Sequence, residues 1–124
     1  MSQSPNGMSA NWVIEHFKMS ALPVEETLYA KTYESAGYLP DGGPIGTAII
    51  ALFSHSPLSR SLFHSLTEPE IWHFYAGDPV HLHLIDGVGT LNTVTLGSDL
   101  AAGQSVQYVI PAGVWQAEIG RAHV

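Results

Sequence analysis

The stretch Glu70-Ile-Trp-His-Phe-Tyr-Ala-Gly-Asp-Pro-Val-His-Leu-His-Leu84 decides the fold class of this chain. In its second half, Val and two Leu residues alternate with two histidines, which is typical of a strand with one core face and one polar face. Its first half, Glu70 to Tyr75, is rich in β-favouring aromatic residues and ends at the turn signal Gly77-Asp-Pro79. We therefore predict two strands separated by a turn.

Short strands separated by turn residues continue on both sides of this stretch. We predict strand-like structure from Thr27 onward and strands at Thr47 to Phe53, Ser61 to Leu66, Leu91 to Leu96 and Gln104 to Ile110. The apolar run Thr47 to Phe53 is predicted to be buried on both faces. A hairpin-like bend is predicted at Thr67-Glu-Pro69. Many short strands with turns between them predict an all-β sandwich or barrel, most simply a jelly roll.

The N-terminal part of the chain has a different pattern. Residues 1–10 are polar and contain both Pro and Gly, so we expect them to be disordered. Within Asn11 to Ala21 the apolar residues recur at roughly helical spacing, and Pro23 closes the segment. We therefore predict one short packing helix before the strands.

Composition and charge exclude several classes of function. The 124 residues fit one small domain, and 11 acidic against 4 basic side chains give a formal charge of −7. Because the basic residues are scattered, we expect neither a nucleic acid nor an anionic membrane as partner. The absence of Cys leaves no disulfide framework and no thiolate ligand. No secretory-signal pattern or membrane-length apolar run is present, so we expect a cytoplasmic protein.

Three runs of the sequence resemble a known family. They are Glu68-Pro-Glu-Ile-Trp-His-Phe-Tyr-Ala-Gly-Asp-Pro-Val80, Leu96-Gly-Ser-Asp-Leu-Ala-Ala-Gly-Gln104 and Val109-Ile-Pro-Ala-Gly-Val-Trp-Gln-Ala117. They resemble the cupin superfamily, and specifically its small RmlC-like family of unknown function. The resemblance covers Trp12 to Ala117 and implies a cupin-type double-stranded β-helix, or jelly roll, at residues 11–117. It also implies a homodimer, as is usual for cupins.

The resemblance further implies where a metal would be bound. In cupins generally, two His and a Glu of a first motif and a His of a second motif hold a metal. Position by position, His64 and Glu70 match two of these ligands, whereas Leu66 and Gln116 stand in the other two places. Since half of the ligand set is replaced, we predict that no cofactor is bound. A divalent metal held by His64, Glu70 and Gln116 remains the alternative.

Strand alternation predicts which of these side chains share a face. Glu70, Trp72 and Phe74 are expected on one face of their strand, and His64 is expected on the same face as its neighbours Leu62 and Leu66. We predict that Trp72, Phe74 and Trp115 form a pocket wall. The pair His81-x-His83 has a spacing that also suits a metal, but no third ligand is visible, and a solvent-facing pair is the preferred interpretation.

The resemblance makes an isomerase or epimerase that works without metal conceivable. In this hypothesis His64 is the catalytic base, Glu70 its partner or acid, and Gln116 a hydrogen-bonding group that orients a small-molecule ligand. The Arg that follows the first His in the family is Ser65 here, which favours a neutral or cationic substrate. The alternatives are a non-catalytic binding or sensing domain, and a metal-dependent cupin enzyme with a reduced ligand set.

The C-terminal residues depart from the family pattern. Family members continue past the Trp-Gln-Ala run into further strand structure, whereas this chain reads Glu118-Ile-Gly-Arg-Ala-His-Val124. That heptapeptide is what a ligated sequencing adapter encodes when it is read in frame. We therefore expect residues 118–124 to be a non-native tail and the domain at residues 11–117 to be a fragment, incomplete at its C-terminus.

Overall fold

A computed structural model describes residues 9–22 and 26–120 of the chain. Helix α1 covers Ala10–Phe17, and the strands are β1 (Ser20–Ala21), β2 (Leu28–Glu34), β3 (Thr47–Leu52), β4 (Ser54–His55), β5 (Leu58–Ser59), β6 (Ser61–His64), β7 (Glu70–His73), β8 (Val80–Ile85), β9 (Leu91–Leu96), β10 (Gln107–Ile110) and β11 (Trp115–Gly120). A short 3-10 helix lies at Leu100–Ala102. The sheets have the orders β6-β11-β8-β9, β1-β2-β3, β10-β7 and β4-β5, with antiparallel pairing. The predicted fold class, an all-β jelly roll with a short N-terminal helix, is confirmed.

Helix α1 is shorter than predicted and ends at Phe17 rather than at Ala21. The next residue, Lys18, adopts a left-handed conformation with φ of 54°, and its backbone N–H donates to Glu15 O at 3.3 Å. Such a left-handed cap stops a helix before any proline is reached. Ser20–Ala21 pair with β2 instead of extending the helix.

The segment predicted to be disordered falls almost entirely outside the described residues, which begin at Ser9. Ser9 itself caps α1 by accepting a hydrogen bond from the backbone N–H of Trp12 at 3.2 Å. Within the described ranges, no helix combines the length and the apolar character that a membrane span requires.

The hydrophobic core lies against strand β8, whose alternating sequence predicted it. Leu82 and Leu84 are 0% and 6% exposed, whereas His81 and His83, which alternate with them, lie on the opposite face. Leu96 of β9 and Ile110 of β10 complete the buried cluster. Burying a Leu or Ile side chain contributes about 1.5–3 kcal/mol. The period-2 pattern therefore identifies both the strand and the face that stabilises the fold.

The prediction that Thr47 to Phe53 is buried on both faces is wrong. Strand β3 lies at the edge of its sheet, its first three residues are exposed, and Ile49 is 42% exposed. A run of apolar residues does not reveal whether a strand is central or at an edge, because both positions accept the same β-branched residues.

The predicted hairpin-like bend between Ser61 to Leu66 and the strand that follows is also not formed. Strand β6 pairs with β11, and β7 pairs with β10. The segment at Thr67-Glu-Pro69 therefore carries the chain from one sheet to another. Turn residues show where a strand ends, but they do not show which strand becomes its neighbour.

Candidate functional site

Gln116 lies at the centre of the four-stranded sheet and points into the molecule. It stands directly across from His64 of β6 on one side and from Leu84 of β8 on the other. Residues directly opposite each other in antiparallel strands have side chains on the same face, about 5 Å apart. Because Leu84 belongs to the core and Gln116 is only 1% exposed, this face is the interior one. The structure therefore brings the predicted residues His64 and Gln116 together.

A β-bulge in β6 determines the orientation of His64. Gln116 pairs with His64 and Glu118 with Ser61, so the two residues Leu62 and Phe63 stand opposite a single residue of β11. Ser61, which is 4% exposed, therefore shares the interior face with His64, and Leu62 is 40% exposed. The prediction that His64 shares a face with Leu62 is wrong, because simple alternation fails across a bulge.

The amide of Gln116 joins two carboxylates. With its amide oriented to satisfy the neighbouring acceptors, Gln116 donates from Nε2 to Glu118 Oε2 at 2.8 Å and to Glu70 Oε1 at 3.0 Å. Glu118 is 1% exposed. Strand β7 pairs with β10 and β11 lies in the four-stranded sheet, so the bond to Glu70 crosses between two sheets.

Glu70 receives a second hydrogen bond on the same oxygen. The indole Nε1 of Trp72 donates to Glu70 Oε1 at 2.9 Å. Both residues are half-buried, whereas Ile71 between them is 56% exposed, as the predicted alternation of β7 requires. We call Glu70, Trp72, Gln116 and Glu118 the inner polar cluster. Among the described residues no hydrogen bond engages Glu70 Oε2, so this oxygen is available to a ligand.

The tautomer of His64 follows from its hydrogen bonds. Nδ1 lies 2.7 Å from the backbone carbonyl oxygen of Leu62 and 3.4 Å from Ser61 Oγ. Since a carbonyl can only accept, Nδ1 carries a proton, and in the neutral ring Nε2 has the lone pair. His64 therefore presents an acceptor that can bind a donor group or take up a proton.

The three residues predicted as a pocket wall do not share one face. Trp72 and Phe74 both pack against the buried core cluster. Trp115 is adjacent to Gln116 in β11, pairs with Ile85 and is 50% exposed. Because neighbouring residues of a strand point to opposite faces, the structure does not place Trp115 with Gln116.

The candidate metal ligands do not form a compact donor set. Of the three, Glu70 and Gln116 are hydrogen-bonded to each other through the amide nitrogen, which is a donor and not a ligand atom. In the part of the chain that the structure describes, no three or more His, Asp or Glu side chains are placed to hold an ion together. A catalytic metal is held by three protein N or O ligands, with water or substrate in an open position. These residues therefore do not fit such a metal.

Sequence reasoning missed Glu118 as a neighbour of the candidate site. It assigned this residue to the non-native tail, whereas in the structure residues 118–120 continue strand β11 beside β8. The signal that could have found it is the two-residue spacing from Gln116, which puts both side chains on one face of a strand. That the natural gene does not encode Glu118 stays a prediction.

The comparisons with known proteins agree with this architecture. A family model described as Cupin superfamily (DUF985) matches residues 11–122. The chain belongs to the cupin superfamily. The match covers the inner polar cluster and both the β6 and β11 strands, so the resemblance carried by the three sequence runs is confirmed. No curated protein matches this cupin.

Two solved structures are similar to this cupin over nearly all of its length. A protein of Shewanella oneidensis is 29% identical with a TM-score of 0.85, and the alignment covers 93% of this chain and 71% of that one. A hypothetical protein from Leishmania major is 25% identical with a TM-score of 0.81, covering 94% of this chain and 72% of that one. These neighbours support the jelly-roll fold.

Proposed function

We propose that this cupin binds a small neutral or cationic organic molecule on its interior face and isomerises it without a metal. The observation that carries the proposal is that Gln116 pairs with His64 of β6 and donates to Glu70 of β7, while no hydrogen bond of the described residues engages His64 Nε2 or Glu70 Oε2. A ligand that is rich in hydroxyl, amide or ammonium donors satisfies these acceptors. A phosphate or carboxylate does not, because it brings further acceptors.

The basic side chains support the same substrate class. Lys31 donates to Glu34 at 2.7 Å and Arg60 to Glu26 at 3.2 Å, both as exposed ion pairs. The position after His64 holds Ser65 instead of Arg. Among the described residues, no ion pair or hydrogen bond joins a Lys or Arg side chain to the inner polar cluster, so nothing there neutralises an anionic substrate.

The proposed chemistry is proton transfer at a carbon next to a carbonyl group. His64 Nε2 removes the proton, and its Nδ1–H bond to Leu62 O holds the ring in the required tautomer. Glu70 Oε2 takes the proton of the adjacent substrate hydroxyl and returns it to the former carbonyl oxygen, while Trp72 and Gln116 fix Oε1. His64 then gives its proton back to the neighbouring carbon, which restores both groups. Isomerisation moves a proton within the substrate and needs no redox partner.

A non-catalytic binding or sensing role is the second candidate. The observation that favours it is that hydrogen bonds join all four members of the inner polar cluster to one another. Such a network fixes the position of a ligand even when no proton moves.

A thermal-shift screen tests the binding part of the proposal. The panel contains free sugars, amino sugars and polyols, with the matched sugar phosphates as anionic members. We expect a neutral or amino compound to stabilise the wild type, because a ligand at 100 times its Kd adds about 2.7 kcal/mol. Glu70→Gln should reduce the shift, and His73→Ala, a change on the exposed face of β7, should leave it unchanged. Stabilisation by the phosphates alone would contradict the proposed substrate class.

A further inference from the structure

The histidine pair on the outer face of β8 forms a second candidate site, independent of the interior face. His81 and His83 alternate with the buried Leu82 and Leu84, so both imidazoles point away from the core. Their ring centroids are 6.3 Å apart with an interplanar angle of 36°. The two rings are therefore neighbours on one face.

Both rings are oriented in the same way by strand β9. His81 Nδ1 lies 3.1 Å from Thr95 Oγ1, and His83 Nδ1 lies 3.1 Å from Thr93 Oγ1. These are the residues directly across the strand pair. A hydrogen bond to Nδ1 leaves Nε2 as the outward nitrogen, which is how histidines that bind metals are commonly held. Among the described residues no hydrogen bond engages either Nε2.

We propose that His81 and His83 form a bidentate surface site for a divalent transition-metal ion such as Zn²⁺ or Cu²⁺. An ion in tetrahedral geometry, at about 2.1 Å from each nitrogen, places the ring centroids about 5 Å apart. The rings must approach each other by about 1 Å, which small side-chain rotations provide. Imidazole nitrogen favours zinc, copper and nickel over magnesium or calcium.

The surroundings of the pair suit a cation. On β11 its neighbours are Ile119 beside His81 and Ala117 beside His83, and on β9 they are the two threonines. None of these carries a positive charge that would repel an ion, and the whole chain has a formal charge of −7. Since no third His, Asp or Glu joins the pair within the described ranges, water completes the coordination.

Calorimetric titration of the untagged full chain with ZnCl₂, after treatment with a chelator, tests this site. We expect one equivalent to bind, and His81→Gln or His83→Gln to weaken binding about 10-fold or more. Thr93→Val removes an orienting hydroxyl and should weaken binding about 10-fold. MgCl₂ should give no binding.

Two histidines serve as matched controls. His73 is exposed, its Nδ1 is held by Gln107 at 3.1 Å, and its ring stacks on Tyr75. No ring contact joins it to another histidine of the described residues, so His73→Gln should bind zinc like the wild type. His64→Gln should also leave binding unchanged, which separates this site from the interior face. Zinc binding that survives in both His81→Gln and His83→Gln, or that is lost in either control, would overturn the assignment.

A second measurement decides the matter if a variant does not fold. In the unmodified protein, substoichiometric Cu²⁺ broadens the NMR signals of the imidazoles that bind it. Broadening that begins at His81 and His83 supports the site. Broadening that begins at His64 or His73 contradicts it.

Discussion

Gln116 on β11 donates a hydrogen bond of 3.0 Å to Glu70 on β7, although the two strands belong to different sheets. The bond joins the interior faces of the jelly roll with a polar contact rather than with apolar packing. A buried polar group whose partner is removed costs about 1–3 kcal/mol. The link therefore constrains how the two sheets pack beside the candidate site.

Gln116→Leu should destabilise the protein by about 1–3 kcal/mol, because Glu70 and the buried Glu118 both lose their shared donor. Urea unfolding followed by circular dichroism measures the change. The matched control is Gln107→Leu, which removes an exposed amide bonded to His73 and should change stability by less than about 0.5 kcal/mol. Equal effects of the two substitutions would show that the inter-sheet bond contributes nothing.

Trp72→Phe should cost about 1 kcal/mol, since it keeps an aromatic ring against the core but removes the donor to Glu70. The control is Trp115→Phe on the outer face, where the side chain is 50% exposed. Thermal unfolding compares the two variants. A larger loss for Trp115→Phe than for Trp72→Phe would contradict the assignment of the interior face.

Metal analysis of the purified protein should find no stoichiometric metal that depends on His64, because the candidate interior ligands do not form a compact donor set. Inductively coupled plasma mass spectrometry makes the measurement. One equivalent of metal that disappears in His64→Ala but persists in His81→Gln would place an ion on the interior face and disprove the prediction.

Amplification of the gene from source DNA should give a reading frame that departs from this chain at about codon 118. The reason is that the final seven residues read as a translated sequencing adapter. The readout is the DNA sequence itself. A natural frame that encodes Glu118-Ile-Gly-Arg-Ala-His-Val124 and then stops would show that the expectation of a non-native tail is wrong.

The fold could be predicted from local patterns where one face is apolar and the other polar. Strand β8 shows this best, since the alternation at 80–85 gives both its bounds and its core face. The same reasoning failed at β3, whose apolar residues fit an edge as well as a central strand. Pairing partners such as β6 with β11 depend on contacts between distant parts of the chain, which periodicity does not contain.

The candidate site could be predicted only in part. Family resemblance suggested His64, Glu70 and Gln116, and the structure brings Gln116 together with both of the others. Strand alternation alone wrongly put Leu62 on the same face as His64. The reason is a β-bulge, which places two residues of β6 opposite a single residue of β11. The inter-sheet hydrogen bond depends on how two sheets stack, and no sequence spacing encodes that.

Solvent deuterium exchange tests the proposed activity most directly. The same panel of sugars, amino sugars and polyols is incubated with the protein in D₂O, and mass spectrometry follows carbon-bound deuterium. We expect one neutral or cationic compound to gain a single deuterium with the wild type and with His73→Ala, and none with His64→Ala. A sugar or amino sugar with a carbonyl group that stabilises the wild type in the thermal-shift screen, yet exchanges no hydrogen, would contradict the isomerase and leave a binding domain.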